Sequence, residues 1–258
     1  MLIKNIEEIK LLKKSSILTS KTLGILSLYI KPGINLSKLD KIAYEYILDN
    51  GGRPAFLGLY NFPNTICTSV NNEIVHGIPR NNFFLRNGDI ISIDCGVLMN
   101  KYYGEHAYTF KVGNISKKKK KLLKCTLKAL YLGIKECKIG NKIGNIGYII
   151  NKYIKKKGFK IVKNLGGHGI GKKVHENPYI PNYGLKKDGI FLQNGMVLSI
   201  EPIVNEGTSK TKIDKDKWTY LTKDNSLSAH YEHNIAILNN KIYLLSTFRY
   251  IKKNNIKF

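Results

Sequence analysis

Hydrophobic and polar positions along the chain follow one pattern twice, helices first and strands afterwards. Asn5-Ile-Glu-Glu has the form of a helix-start cap with an acid at its third position. Ile9, Leu12, Ile17, Leu23, Leu26 and Ile30 then recur at roughly helical spacing, up to Lys31-Pro-Gly. A second helix is predicted over about residues 37–48, ending before Gly51-Gly52. Strand-like runs follow at 65–70, 89–98 and 102–112. Ser116 opens a long amphipathic helix to about Cys137, and another covers about 143–157, closed by Gly158. Strand signals resume at 159–162, 196–204, 218–222, 231–238 and 241–245.

The second round echoes the first residue by residue. Asn87-Gly-Asp-Ile-Ile-Ser-Ile-Asp94 matches Asn194-Gly-Met-Val-Leu-Ser-Ile-Glu201, Tyr103-Gly-Glu105-His106 has a fainter counterpart in Tyr231-Glu232-His233, and His76-Gly-Ile recurs as His168-Gly-Ile. The echoes read as a duplication. The expectation is one domain over residues 1–258, made of two similar α/β halves, about 1–114 and 115–258, whose strands face each other across one site.

Composition alters this picture little. With 258 residues, 43% hydrophobic and 24% charged, the chain can bury a sizeable core and reads as an ordinary soluble protein. No apolar run approaches the ~20 residues of a membrane span, and the charged N-terminus has no signal-peptide core, so a cytoplasmic location is expected. Cys67, Cys95, Cys125 and Cys137 form no C-x-x-C pair and read as reduced thiols. Cys95 neighbours Asp94 on a strand and therefore faces the other way. The net charge of +25 invites a nucleic-acid reading, but only four of the 43 basic residues are arginine. The lysines are spread along the chain beside abundant Ile and Asn, residues whose codons are A/T-rich. A genomic bias would account for much of the excess, and the run Lys117–Lys121 reads as a solvated helix face. No specific nucleic-acid partner is expected.

The candidate chemistry centres on residues 166–178, Gly-Gly-His-Gly-Ile-Gly-Lys-Lys-Val-His-Glu-Asn-Pro, where His168 sits among four glycines and His175 follows seven residues later. Glycine there permits positive φ and a close approach to a bound ion or substrate. Gly167, Gly169 and Gly171 give G-x-G-x-G, far from any N-terminal βαβ unit, and so match a dinucleotide fingerprint poorly. Asp94 and Glu201 each end an apolar strand, where an acid costs free energy unless it is paired or metal-bound. A salt bridge to a lysine would account for either acid taken alone. With Glu105, Glu232 and His168 they make four carboxylates and one imidazole, a set suited to Mn²⁺, Fe²⁺, Co²⁺ or Mg²⁺. Converging carboxylates call for about two divalent cations, which also lower the pKa of a water between them. His106 and His233 follow glutamates on strands and should face away, and His230 is read with them as structural.

These five residues, with the phrases GGHGIGKKVHENP, LSIEPIV and LSAHYEHNIAI, resemble type I methionine aminopeptidases of peptidase family M24 over nearly the whole chain. The resemblance implies the pita-bread fold, with two pseudo-twofold-related α/β halves around a central curved antiparallel sheet. It implies metal-dependent removal of the initiator methionine from nascent polypeptides whose second residue is small, by a metal-activated water, in a monomer of the short bacterial type. Two divalent ions (Co²⁺, Mn²⁺, Fe²⁺ or Zn²⁺) are implied, one held by Asp94, the other by His168 and Glu201, with Glu105 and Glu232 bridging. Glu201 matches the residue that handles the nucleophile's proton, and His175 the one that contacts the scissile amide. His76 matches a substrate-contacting histidine, and Phe62, Cys67 and Trp218 match walls of the methionine pocket. Three departures stand out. Glu105 occupies a position where the family has aspartate, and Leu59 and Val174 replace aromatic side chains. The alternatives are a weakly active or non-catalytic binding relative, on account of Glu105, and an X-Pro peptidase, although those relatives carry an added N-terminal domain. The ribosome surface is a further expected partner, since its anionic surface would suit the positive field.

Overall fold

Asn5 and Glu8 cap the first helix reciprocally: the Asn5 side chain accepts from the Glu8 N–H and the Glu8 carboxylate accepts from the Asn5 N–H, both at 2.9 Å. That helix, α1 (Ile6–Tyr29), lies across the strand pair Ile90–Met99 and Tyr102–Lys111. The structure, a computed structural model, describes residues 3–252. After α2 (Leu36–Asp49) the chain forms Ile66–Val70, which pairs antiparallel with Ile90–Met99. The second round opens with α3 (Lys117–Lys135), capped by Ser116, and α4 (Ile143–Lys156). It then builds a five-stranded antiparallel sheet in the order Lys241–Leu244, His233–Leu238, Val197–Ile200, Gly166–Gly169 and Glu176–Pro181. Two three-stranded sheets complete the fold. Among the described residues no helix is long and apolar enough to cross a membrane.

The two echoed segments are held by the same device. Gly88 and Gly195 both have positive φ, where glycine carries no steric penalty. Their N–H groups donate to Val112 O at 2.9 Å and Ile237 O at 2.7 Å. The Asn87 and Asn194 side chains accept from the N–H groups of Asn114 and Asn239 at 2.9 and 2.7 Å. Each lock starts a strand that leads to an acid, Asp94 in one case and Glu201 in the other.

α1 departs from a simple apolar stripe. Its buried face includes Ser15, Ser16, Thr19 and Ser20 as well as leucines, because small hydroxyl residues let the helix sit against the strand backbone. Ser15 and Thr19 donate to the carbonyls of Tyr102 and Gly104, each at 2.9 Å. Their hydroxyls also meet carbonyls one turn earlier, so no donor is stranded.

Two predicted strands are broken where the acids stand. The 196–204 run divides into Val197–Ile200 and Ile203–Asn205, with Glu201-Pro202 between. Pro202 has no N–H to give a ladder. The 231–238 run shortens to His233–Leu238, with Ser228–His230 as a separate strand before it, and the Glu232 N–H between them donates to Ala107 O at 3.0 Å in the other half. The glycine-rich stretch also differs from expectation. None of Gly166, Gly167, Gly169 or Gly171 has positive φ, and Gly166–Gly169 is a strand. A side chain at Gly167 would collide with Ser199 O, and one at Gly169 with Asn177 O, so close packing rather than turning requires glycine here. The lysine run is the solvated helix face expected, with Lys117, Lys118, Lys120 and Lys121 exposed. Some of its members still find partners: Lys118 pairs with Glu206 at 2.6 Å, Lys119 donates to Gly88 O at 2.6 Å, and Lys121 lies over the Phe159 ring.

A Cβ at Gly104 would fall within 2.7 Å of Ser16 Cα, against helix backbone that cannot yield locally. Gly104→Ala should therefore destabilise by about 1–3 kcal/mol. Thermal unfolding should show Tm lower by roughly 2–10 °C, and an unchanged Tm would show that α1 can ride outward freely.

Candidate metal centre and substrate pocket

Strand register places the first acids. Cys67 pairs with Asp94, Asp94 with Ala107 and Gly96 with Glu105, so Cys67, Asp94 and Glu105 share one face of the sheet. Cys95, one residue on, packs into the core on the opposite face. His106 and His233 likewise point away from the acids. Their rings stack at 4.8 Å, and their Nδ1 atoms meet Ser20 Oγ at 3.1 Å and Ser246 Oγ at 2.8 Å.

The seam between the halves supplies the rest. Asn234 Oδ1 accepts from the Glu105 N–H at 2.7 Å and from Ser16 Oγ at 3.2 Å, tying Glu105 to the opposite sheet and to α1. Ser199 Oγ donates to Glu232. The Glu201 carbonyl accepts from Asn182 at 2.9 Å. Glu105 is 4% exposed and Glu232 2%, while Asp94, His168 and Glu201 are half-buried.

His168 has a defined tautomer. Its Nδ1 lies 2.9 Å from Gly169 O, a contact only an N–H can make, so Nε2 carries the lone pair. Nε2 is 3.4 Å from Glu105 Oε2 and 3.5 Å from Glu201 Oε1. Neither contact is an ion pair, since burial, helped by His175, pushes the His168 pKa down to about 3 and leaves the ring neutral. Lone pairs that face one another in this way need a proton or a cation between them. Glu105 Oε2 and Asp94 Oδ1 are buried without a hydrogen-bond partner, which fits a cation site further. Burial pushes Asp94 up to about 7, with Glu201 adding to it. Glu105, Glu201 and Glu232 are raised by burial, and Glu105 and Glu232 also by the neighbouring acids. Oxygen donors with one imidazole nitrogen suit a divalent cation. Glu105, His168 and His175 offer atoms all within 4.8 Å of one another. Glu105 thus reaches the cluster despite its extra methylene.

A cleft of about 910 Å³ opens over these groups and is lined by His76, Asp94, His168, His175, Glu201 and His230. The turn carrying His175 is held from below. Glu176 pairs with buried Lys4 at 2.7 Å and accepts from the Lys172 N–H at 2.8 Å. The His175 ring meets His168 edge-on, with centroids 4.5 Å apart. His76 has φ +57, unusual for a residue with a side chain, and its ring packs edge-on against Tyr220. A smaller cavity of about 80 Å³ adjoins the acids, walled by Phe56, Leu59, Phe62, Cys67 and Trp218. Val174 belongs to the same apolar cluster.

The site therefore gathers every residue that the sequence singled out. It also contains two that the sequence reading set aside or passed over. His230, read as structural, lies in the cleft with Nε2 3.5 Å from Glu201 Oε2. It stands two residues before Glu232, and strand alternation would have put both on one face. Tyr60, with φ +50, lays its ring parallel to His175 at 6.5 Å, and no periodic signal marks it.

Residues 10–239 match metallopeptidase family M24. A methionine aminopeptidase from Clostridium perfringens is 43% identical over 249 residues, covering 96% of this chain and 100% of that protein. The crystal structure of methionine aminopeptidase from Rickettsia prowazekii superposes with a TM-score of 0.94 at 34% identity, covering 96% of this chain and 100% of that one. The prolidase from Pyrococcus horikoshii shares the fold, with a TM-score of 0.78 at 23% identity, and this chain spans only 63% of it.

The raised carboxylates and depressed histidines act on stability in opposite directions. A neutral buried histidine gains stability as pH rises through about 6.5, where the unfolded ring loses its proton. A carboxylate raised on folding binds more protons than its unfolded form, so stability falls as pH climbs toward its folded value. Between about pH 7 and 8 the unfolded histidines are neutral and the carboxylate effect dominates, while above about pH 8 the four thiols, raised by burial, act in the same direction. Chelated protein should therefore lose thermal stability between pH 7 and 8, and added Mn²⁺ should abolish the loss in that window. A flat Tm for the chelated protein would mean that the acids do not repel as placed.

Proposed function

The chain belongs to metallopeptidase family M24, and we propose that it removes the initiator methionine from nascent polypeptides whose second residue is small. The fold is the pita-bread fold of that family. The observation that carries the reading is the junction of two unlike compartments. A cluster of buried acids with one lone-pair imidazole opens directly into a small apolar cavity walled by aromatic rings and a thiol. Sulfur and aromatic surfaces suit a thioether side chain. The curated relatives carry the same activity in their names.

Asp94, Glu105, His168, Glu201 and Glu232 hold the divalent ions, two of them by the number of acids that require neutralising. Bound there, the ions supply positive charge that polarises the peptide carbonyl and lowers the pKa of water. Phe62, Cys67 and Trp218 hold the methionine side chain, with Phe62 and Trp218 meeting edge to face at 5.2 Å. Glu201 takes a proton from the attacking water and passes it to the leaving amine. His175 stabilises charge at the scissile amide through the one N–H of its ring, which burial favours in the neutral form. His76 contacts the substrate at the cleft wall. The substrates are polypeptide N-termini emerging from the ribosome, whose anionic surface suits a chain of net charge +25. The protein acts as a monomer in the cytoplasm.

A non-catalytic role has nothing in its favour. All five ligand positions keep competent side chains, and Glu105 still meets His168. The X-Pro reading is supported only by the shared fold.

Methionine release from a Met-Ala-Ser peptide, measured after chelation and with Co²⁺, Mn²⁺ or Fe²⁺ titrated back, tests the reading. Release should return with metal, and Glu201→Gln should lower kcat by about 10²–10⁴-fold at saturating metal. No release from folded, metal-loaded protein would sink it.

A further inference from the structure

His230 is among the most confined rings in the cleft. It is 2% exposed, and neither ring nitrogen has a hydrogen-bond partner. Its backbone is clamped on both sides by one hydroxyl. The His230 N–H donates to Thr109 Oγ1 at 2.9 Å, and Thr109 Oγ1 donates back to the His230 carbonyl at 2.7 Å. Pairing of His230 with Ile203 adds a third restraint. A ring so held cannot swing out to find water.

Its neighbour is Glu201. His168 Nε2 stands 3.5 Å from Oε1 of that carboxylate, and His230 Nε2 stands 3.5 Å from Oε2. The two imidazoles bracket Glu201, but they are not equivalent. His168 carries its proton on Nδ1, committed to Gly169, so it has only a lone pair to offer. Of the two rings, His230 alone is free to turn an N–H toward the carboxylate. A lone pair on His230 Nε2 would set a second acceptor against Glu201. A proton there gives Oε2 a donor and gives the buried ring a partner.

We propose that His230 is a positioning residue whose Nε2–H donates to Glu201 Oε2 and fixes the direction in which Glu201 exchanges its proton. The proposal rests on the peptidase reading for the purpose of that proton transfer. The separation of 3.5 Å is long for a formed bond. Catalytic hydrogen bonds often start long and tighten when substrate is bound.

The test begins with a readout that needs no turnover. A long-range ¹H–¹⁵N correlation spectrum of ¹⁵N-histidine protein loaded with Zn²⁺, with His230→Gln as the assignment control, reports each ring's tautomer. His230 should be the Nε2–H form and His168 the Nδ1–H form. In kinetics, His230→Gln keeps an amide donor and should hold kcat within about threefold of the wild type, whereas His230→Leu should lose about 10–100-fold. KM and metal affinity, the latter by competition with a fluorescent chelator, should stay within about threefold in both variants. An unprotonated, metal-shifted Nε2, or metal affinity lost in both variants, would make His230 a ligand and overturn the proposal. Unchanged kcat in His230→Leu would overturn it as well. If His230→Leu fails to fold, the tautomer spectrum and His230→Gln still decide. Absence of peptidase activity in the wild type would count against the peptidase reading while leaving the tautomer result standing.

Discussion

Mutual repulsion among four carboxylates confined in one place is the constraint on which the rest of the structure depends. Asp94, Glu105, Glu201 and Glu232 converge below a cleft where water screens them poorly; burial raises each of them, and the neighbouring acids raise Asp94, Glu105 and Glu232 further. A fold that tolerates this must hold each acid by something other than the acid's own preference. Backbone restraints do so here: a lock at Gly88 before Asp94, its counterpart at Gly195 before Glu201, and Asn234 on the Glu105 N–H. The same constraint explains why cation binding and folding are linked in such a site, since the ion removes the repulsion that the chain alone must bear.

The restraints lie on the seam between the two halves. Asn234 joins α1, the strand carrying Glu105 and its own strand at one oxygen. Thr109 holds His230, and the Ala107 carbonyl accepts from the Glu232 N–H. Each crossing bond takes a side chain or backbone group from one half to fix a residue of the site in the other. The interface is therefore part of the site, and disturbing it should move site residues rather than merely loosen packing.

The apolar cavity and the acid cluster answer different demands. Phe62, Cys67 and Trp218 wall a cavity whose shape and polarisability suit an unbranched side chain, and the acids lie beside it, where the proposed reaction would take place. Leu59 and Val174 leave this wall aliphatic in part, without opening the cluster to solvent at Val174. His175 and Tyr60 sit where the two compartments meet the cleft, held by a turn that Lys4 and Glu176 brace from beneath.

Much of this was legible in the order of residues. Alternation and helical spacing located the four helices and the long strands. The echo of Asn87–Asp94 in Asn194–Glu201 marked both acids as ends of matched strands. The glycine-flanked His168 stood out in the sequence, and its Nε2 faces Glu105 and Glu201. Those signals are local, and local geometry carries them. Tertiary structure decided the rest. Helix α1 buries hydroxyls because it rests on carbonyls of Tyr102 and Gly104, residues far away in sequence. The glycines around His168 are needed because carbonyls of Ser199 and Asn177 press against them, not because the chain turns. The strands at Glu201 and Glu232 break because those residues bond across the seam or enter the cleft. His230 joins the site only when two strands from different parts of the chain bring its ring to Glu201. A sequence states which groups are present and which face each takes, but contact between faces is made by packing.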